Sequence, residues 1–483
     1  MLLKYFYDDK LAQASYLVGC QATGEAIVID PARNIESYEK IAKAHHVRIV
    51  GVTETHIHAD FLSGAREIAS KFGATLYLSD EGGPDWRYKY LPEFKHCFLK
   101  DGDTFNIGNI NFEVMHTPGH TPEHISLLVT NGGSSATGPM GIFTGDFVFV
   151  GDVGRPDLLE KAAGVQGSSE EMAIAMFHSL QRFKQLPDYI QIWPGHGAGS
   201  ACGKALGAIP SSTVGYEKMT NWALQCEDVR HFTEILLSGQ PEAPTYFSMM
   251  KRLNKEGTQL LQEITDPHCM EPSIATVQTW VKQGIVVDTR PASEFSTKHL
   301  RGVINIPYNK SFVTWAGWLL DYTRPIYLLA SDEYVRDVLQ DLRSIGLDYV
   351  VATMDPNVIN QAEESDKHVM VYREVTPVMV NDAVRTGQMY VLDVRSTSEW
   401  EEGHIPQAKH IMLGYLHERV REIPSDKPIL VHCKAGGRSA IAASILQAQG
   451  LEDVRNLLGG YDEWIKQGYP SQRESDLLEN KTE

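Results

Sequence analysis

A chain of 483 residues exceeds what one hydrophobic core organises, so two to four domains are expected. Hydrophobic residues make up 42% and charged residues 22%, the balance of an ordinary globular protein rather than a disordered or fibrous one. A net charge of -18, from 44 basic and 62 acidic residues, disfavours nucleic acid and anionic membrane as partners and argues against a metal-dependent nuclease.

No apolar run approaches the length of a membrane span, and Met1 to Asp9 lacks the basic region and cleavage site of a secretory signal. Cysteines at 20, 97, 202, 226, 269 and 433 form neither a disulfide framework nor a zinc ribbon. A cytoplasmic chain with reduced thiols is expected, in which any special cysteine is reactive rather than structural.

Up to about residue 130, short strand-like runs alternate with helical intervals such as Ser63 to Phe72. The strand-like runs include Glu25 to Asp30, Arg48 to Thr53 and Asn111 to Met115. This predicts stacked sheets flanked by helices. Asn131 to Gly141 reads as a hairpin loop, Ser168 to Leu186 as an amphipathic helix, and Tyr216 to Ser238 as continued helix. Phe247 to Leu261 is basic and helical, and the Asp266-Pro267-His268 turn leads to a new start at Pro272. An internal repeat comes next, at an offset of 105 residues: Asp288, Arg290, Glu294 and His299 recur as Asp393, Arg395, Glu399 and His404. Each copy then has an apolar run, Pro325 to Leu329 or Pro428 to His432, and an amphipathic helix, so two similar α/β units with parallel sheets are predicted. The boundaries implied are 1–265, 272–368 and 371–471, with a polar, disordered tail at 472–483.

Chemistry-bearing residues gather where strands end. The run Arg48 to Thr53 leads into Thr55-His56-Ile57-His58-Ala59-Asp60-Phe61. Similar groupings close later strands at His116-Thr117-Pro118-Gly119-His120, Phe143-Thr144-Gly145-Asp146 and Trp193-Pro194-Gly195-His196. Neutral imidazole and carboxylate supply the lone pairs a metal needs. These residues resemble the signature of the metallo-β-lactamase superfamily over roughly the first half of the chain, and the resemblance implies an αββα sandwich.

One departure matters: Phe61 stands where dinuclear members carry a histidine. Within the superfamily that points away from glyoxalase II and towards persulfide dioxygenases. The resemblance then implies one Fe(II) per chain on His56, His120 and Asp146, with open positions for substrate and O₂. His58, Asp60 and His196 become residues that orient ligands or water, direct ligation staying open for each. Arg155 is a candidate anion anchor held by Asp157, with a surface salt bridge as the alternative. Cys202, a few residues past His196, is open to two readings: a persulfide relay near the metal, or a small buried residue beside glycine.

The second chemical motif is Cys433-Lys434-Ala435-Gly436-Gly437-Arg438-Ser439, which opens a helix expected over Ser439 to Gln449. Glycines at 436 and 437 let the backbone curl so that N–H groups face the sulfur. The helix N-terminus, Lys434 and Arg438 add positive potential that stabilises a thiolate or persulfide anion. The loop resembles the rhodanese active-site loop, and six residues from Cys433 to Arg438 suit a sulfur atom rather than a phosphate. Strand alignment puts Ala330 at the position of Cys433 in the first copy, with the acidic Ser331-Asp332-Glu333 after it, as in a silent rhodanese domain.

The whole arrangement resembles persulfide dioxygenase–rhodanese fusions, an α/β multi-domain class of a metallo-β-lactamase sandwich and then two rhodanese domains. That implies oxidation of low-molecular-weight persulfides to sulfite and thiosulfate in sulfide detoxification, with Cys433 exchanging sulfur with sulfite. The thiol carrier is left among coenzyme A, cysteine, glutathione and bacillithiol. The same resemblance implies a homo-oligomer with no nucleic-acid or membrane partner. The rival readings are a glyoxalase II-like thioester hydrolase, which needs a metal-activated water, and a non-catalytic sulfur carrier or sensor.

Overall fold

The computed structural model describes residues 1–133, 138–158, 160, 168–204, 206–363 and 367–473. The chain divides into two compact units, Met1–Ile264 with Arg343–Gly346, and Thr265–Leu342 with Leu347–Glu483.

The first unit holds two six-stranded sheets. One runs in spatial order Leu2–Asp8, Gln13–Cys20, Glu25–Ile29, Arg48–Thr53, Thr75–Ser79, His96–Leu99. The other runs Ser212–Thr213, Gln191–Pro194, Gly141–Gly145, Ile125–Asn131, Ile110–His116, Thr104–Ile107. Side-chain alternation explains the stacking. In Glu25–Ile29, Ile27 and Ile29 enter the layer between the sheets with Tyr16, Phe112, Leu127, Phe143 and Trp193. Ala26 and Val28 point the other way, into the layer beneath the helices Glu36–Ala44 and Ala65–Phe72. On the far side, Ile142, Ile192 and Leu128 pack against the helices Ser168–Phe183 and Val229–Leu237. A strand buried on both faces reads as an unbroken apolar run, and each such Ile or Val contributes about 1.5–3 kcal/mol by leaving water.

The second unit contains two five-stranded parallel sheets of the same order. The first is His268–Met270, Val350–Met354, Ile326–Leu329, Ile285–Asp288, Ile304–Asn305. The second is Arg373–Val375, Val454–Leu457, Ile429–His432, Tyr390–Asp393, Lys409–His410. Asp288 pairs with Leu329 and Asp393 with His432, so the next residues along, Ala330 and Cys433, occupy equivalent places.

Three sequence expectations change. The helical stretch from Tyr216 breaks into Val214–Thr220, Trp222–Gln225 and Val229–Leu237, because Asn221 and Asp228 each turn a side-chain oxygen onto a backbone N–H and start a new helix. The helix from Phe247 stops at Glu256, since Gly257 takes φ of 87°. Gln472, expected in a disordered tail, exchanges two backbone hydrogen bonds with His404; residues 474–483 lie outside those described. No helix among the described residues is long and apolar enough to cross a membrane.

Candidate metal centre and sulfur-binding loop

Strand ends at one edge of the two stacked sheets deliver the metal residues. Arg48–Thr53 hands over to His56, Ile110–His116 to His120, Gly141–Gly145 to Asp146 and Gln191–Pro194 to His196, all of them buried. His56, His120 and Asp146 bring one ligand atom each within 4.8 Å of one another. His56 Nε2 is 3.8 Å and His120 Nε2 3.5 Å from Asp146 Oδ2. None of these three atoms has a hydrogen-bond partner among the described residues.

Hydrogen bonds on the far side of each ring fix which nitrogen is available. His120 Nδ1 lies 2.9 Å from Arg155 O, a carbonyl that can only accept, so Nδ1 carries the proton and Nε2 the lone pair. Thr55 Oγ1 donates to Asp30 Oδ2 at 3.0 Å and therefore accepts from His56 Nδ1, also at 3.0 Å, again freeing Nε2. Burial, the largest influence on both rings, lowers His56 well below the usual histidine value and His120 to about 4, so both are neutral. Burial would raise Asp146, but the charge and hydrogen bond of His196 outweigh it and hold the carboxyl well below its usual range. Two neutral imidazoles and a carboxylate, with three buried lone pairs converging and unspent, fit a metal cation. Buried polar atoms left without partners are otherwise costly.

The neighbours differ. His196 Nδ1 lies 2.7 Å from Asp146 Oδ1 and Nε2 2.7 Å from Asp60 Oδ2, so both nitrogens donate to carboxylates. Those carboxylates overcome burial and raise His196 well above its usual value; it is an imidazolium with no lone pair to offer. Asp60, His196 and Cys202 also gather within ligand distance, but that grouping would need His196 to lose one of these bonds. His58 is buried against the His56 ring with its Nδ1 unpartnered among the described residues; its Nε2 donates to Asp30 Oδ1 at 3.1 Å, and Asp30 overrides burial to push its value to about 9. Phe61 is buried with its ring 4.4 Å from that of His58. Close approach needs glycine here: a Cβ at Gly154 would collide with the carbonyl of Asp146.

Arg155 departs from the sequence expectation. It is fully enclosed, its fork bonds both oxygens of Asp157 at 2.7 Å, and it also donates to Ala201 O and Pro241 O. Asp157 does hold it, but those donors serve protein acceptors, so the guanidinium braces the loop that carries His120's acceptor instead of facing a ligand. Cys202 is buried beside Asp60 and His196, and burial with the Asp60 and Asp146 carboxylates pushes its thiol well above the usual value.

Several residues escaped sequence reasoning. Asp30 supports both histidines of the first motif through Thr55 and His58. It ends an apolar run just as Thr53 does, and that was the available signal. His124 Nε2 accepts from Asp146 N at 3.1 Å and its Nδ1 meets Thr117 Oγ1 at 2.8 Å. Asn254, 196 residues from His58, donates to the carbonyls of His58 and Phe61; no local pattern announces it.

In the second unit, Ile429–His432 ends at Cys433, and Gly437–Ala448 forms the next helix. Gly436 adopts φ of 105°, a conformation that side chains resist, and this aims its N–H at Cys433 Sγ at 3.1 Å. Ser439 Oγ lies 3.4 Å from the sulfur and 2.7 Å from Asn456 Oδ1. Cys433 is 2% exposed, while Lys434 and Gly437 are exposed. Arg438 is spent on a bidentate pair with Glu399 at 2.6 and 2.7 Å, so it clamps the loop to the helix Thr397–Glu401 rather than reaching the sulfur. A cleft lined by Arg395, Glu399, Lys434, Tyr461, Asp462 and Arg473 opens at this loop.

Two family models match separate stretches of the chain. A metallo-beta-lactamase superfamily model matches residues 8–196, and a rhodanese-like domain model matches 376–467. The crystal structure of a metallo-beta-lactamase from Staphylococcus aureus subsp. aureus COL is 44% identical, covers 74% of this chain and 99% of its own, and superposes with a TM-score of 0.67. The mitochondrial persulfide dioxygenase ETHE1 of Bos taurus is 27% identical over 201 residues, 41% of this chain and 68% of that protein. A hydroxyacylglutathione hydrolase from Glaesserella parasuis serovar 5 is 28% identical over 182 residues, 38% of this chain and 65% of that protein. The chain spans 51% to 65% of the length of four curated relatives it matches.

Proposed function

The chain belongs to the metallo-β-lactamase superfamily and carries a rhodanese-like domain at residues 376–467, and from that premise we propose that it is a persulfide dioxygenase coupled to a sulfurtransferase. The reading rests above all on His56, His120 and Asp146, whose three free lone pairs converge while His196 beside them is fully engaged. A donor set of this kind suits one Fe(II), which would supply adjacent open positions for a persulfide sulfur and dioxygen.

The chain's own groups do the rest. Asp30 and Thr55 hold the His56 ring, and Arg155 O holds that of His120, so the ligand atoms are aimed before any metal arrives. Buried Phe61, against His58, and Phe149, 6.2 Å from the His196 ring, surround the centre with apolar surface. The overall change is R–S–SH + O₂ + H₂O → R–SH + SO₃²⁻ + 2H⁺. At the second site Cys433 carries a sulfane sulfur, and attack by sulfite gives Cys–S–S⁻ + SO₃²⁻ → Cys–S⁻ + S₂O₃²⁻. The Gly436 N–H and the helix N-terminus stabilise the sulfur anion on either side of that exchange. Placing both sites on one chain raises the effective concentration of sulfite at Cys433. Cys202, beside the ligand set, is the candidate for accepting a persulfide or relaying it to the iron. The carrier is a low-molecular-weight thiol of the coenzyme A, cysteine, glutathione or bacillithiol type.

A hydrolase of the glyoxalase II kind is the alternative that sequence relatives raise. It needs a second ion, for which His196 would have to surrender a carboxylate bond. Metal analysis of protein purified without air, then an oxygen-electrode trace with glutathione or coenzyme A persulfide, separates the readings. About one iron per chain with oxygen uptake supports the dioxygenase; two zinc ions with thioester cleavage and no uptake would overturn it.

A further inference from the structure

A buried lysine stands beside the metal loop with no partner of its own. Lys251, on the helix Phe247–Glu256, is 8% exposed, and its Nζ has no hydrogen-bond or ion-pair partner among the described residues. A desolvated ammonium in that state is strongly unfavourable unless something completes it. The helix is pinned to the metal loop three residues on, where Asn254 donates to His58 O at 2.9 Å and Phe61 O at 2.8 Å and accepts from Ser63 N at 2.9 Å. Residues three apart share a helix face, so Lys251 rises from the face that covers this loop.

Glu123 reaches the same loop. Its Oε1 accepts from Ile57 N at 2.8 Å, and its Oε2 has no partner among the described residues. Thr121 Oγ1, next in sequence to ligand His120, is also without one. A direct Lys251–Glu123 pair would satisfy both charges, and none forms. The Trp86 ring lies 5.3 Å from Nζ. Burial pushes Lys251 down, and the Glu123 carboxylate is the largest influence drawing it back up. The centre otherwise concentrates carboxylates, at Asp30, Asp60, Asp146, Glu54 and Glu123, all buried. The charged histidines there, His58 and His196, are hydrogen-bonded to Asp30, Asp60 and Asp146, so an entering anion meets repulsion that a cation not tied to a carboxylate would offset. Arg155 does not fill that role, being enclosed and engaged with Asp157.

We propose that Lys251 is the anion-binding residue of the metal centre, its ammonium over Trp86 taking the charged sulfur head of the substrate, R–S–S⁻, and of the product, sulfite. The inference rests on the dioxygenase reading for the identity of the anion, and on Lys251, Trp86, Thr121 and Glu123 for its place. It makes Lys251 a residue that touches substrate, with Trp86 positioning it.

The test uses the full chain as Lys251→Met and Lys251→Arg. Sulfite is titrated calorimetrically into metal-loaded and metal-stripped protein, and KM for glutathione persulfide is read from oxygen uptake. Lys251→Met should weaken sulfite binding about tenfold or more, equivalent to about 1.4 kcal/mol. It should raise KM more than it lowers kcat, with metal content unchanged, and Lys251→Arg should recover part of the affinity. Wild-type sulfite affinity and KM in Lys251→Met would overturn the proposal, and so would loss of the metal, which would make the lysine part of the scaffold. Lysine-dependent sulfite binding in a protein that takes up no oxygen would overturn the dioxygenase reading and leave the anion site standing.

Discussion

The two copies of the α/β unit between Thr265 and Arg473 share a sheet order, a clamp and a stacked histidine, yet only the second ends its Ile429–His432 strand in cysteine. In the first, Arg290 grips Asp288 through both oxygens, and His299 stacks on Phe295 at 3.9 Å. In the second, Arg395 grips Asp393 likewise, and His404 stacks on Trp400 at 3.5 Å. Arg290 also donates to Lys298 O and Arg395 to Gly403 O, tying each strand end to the turn beyond its helix, so these groups belong to the frame. The loops depart over four successive positions: Ala330, Ser331, Asp332 and Glu333, against Cys433, Lys434, Ala435 and Gly436. What separates the copies chemically is a nucleophile and a left-handed glycine to aim an N–H at it. A frame kept by packing is common to both copies; a short loop sets them apart.

That contrast can be broken most severely at the cysteine. Cys433→Ser should abolish thiosulfate formation while oxygen uptake with persulfide persists in part; equal loss of both activities would mean the sites are not separate. Next in size are the clamps. Removing either aspartate leaves a largely buried guanidinium without its partner, and each of Asp393→Ala and Asp288→Ala should cost about 3–5 kcal/mol of unfolding free energy in denaturant titration. The loss at Asp393 should be the larger, because Arg395 is 4% exposed against 13% for Arg290. A reversed order would show that the frame of the first copy is the stiffer.

A smaller effect concerns acid. Burial raises Glu399, but the two bonds from Arg438 outweigh it and hold the carboxyl at about 2. A folded value below the unfolded one, about 4.3, means the pair's contribution is present at neutral pH and is lost as pH falls from about 4.3 towards 2. The melting-temperature gap between wild type and Glu399→Gln should therefore close across that window; a constant gap would show that the pair contributes little. The smallest change expected is none: Ala330→Cys should gain no measurable sulfur transfer, since Ser331-Asp332-Glu333 cannot supply the curled N–H groups and adds negative charge. Appreciable transfer in that variant would show that the thiol alone suffices.

Residue order made part of the fold and site legible and left part hidden. Arg48–Thr53 was placed to the residue, because a strand buried on both faces betrays itself by an unbroken apolar run. The ligand candidates His56, His120 and Asp146 were legible because each lies within a few residues of a strand's end. Arg155 was misjudged: its proximity to Asp157 was visible, but whether the pair faced a cleft or an interior depended on Ala201 and Pro241, brought in from 46 and 86 residues away. Arg438 likewise met Glu399 across 39 residues and spent its charge there. Lys251 looked like one more base on a polar helix.

By itself the order of residues determined the layers, the repeat, the strand-end histidines and aspartates and the cysteine loop, because periodicity and turn chemistry act between near neighbours in the chain. Tertiary structure alone decided which lone pairs stay free. His196 could have been a ligand on its spacing, and only the simultaneous approach of Asp60 and Asp146 makes it an imidazolium. Protonation and hydrogen bonding in a desolvated site depend on every group within a few ångströms, and folding supplies those groups from anywhere along the chain.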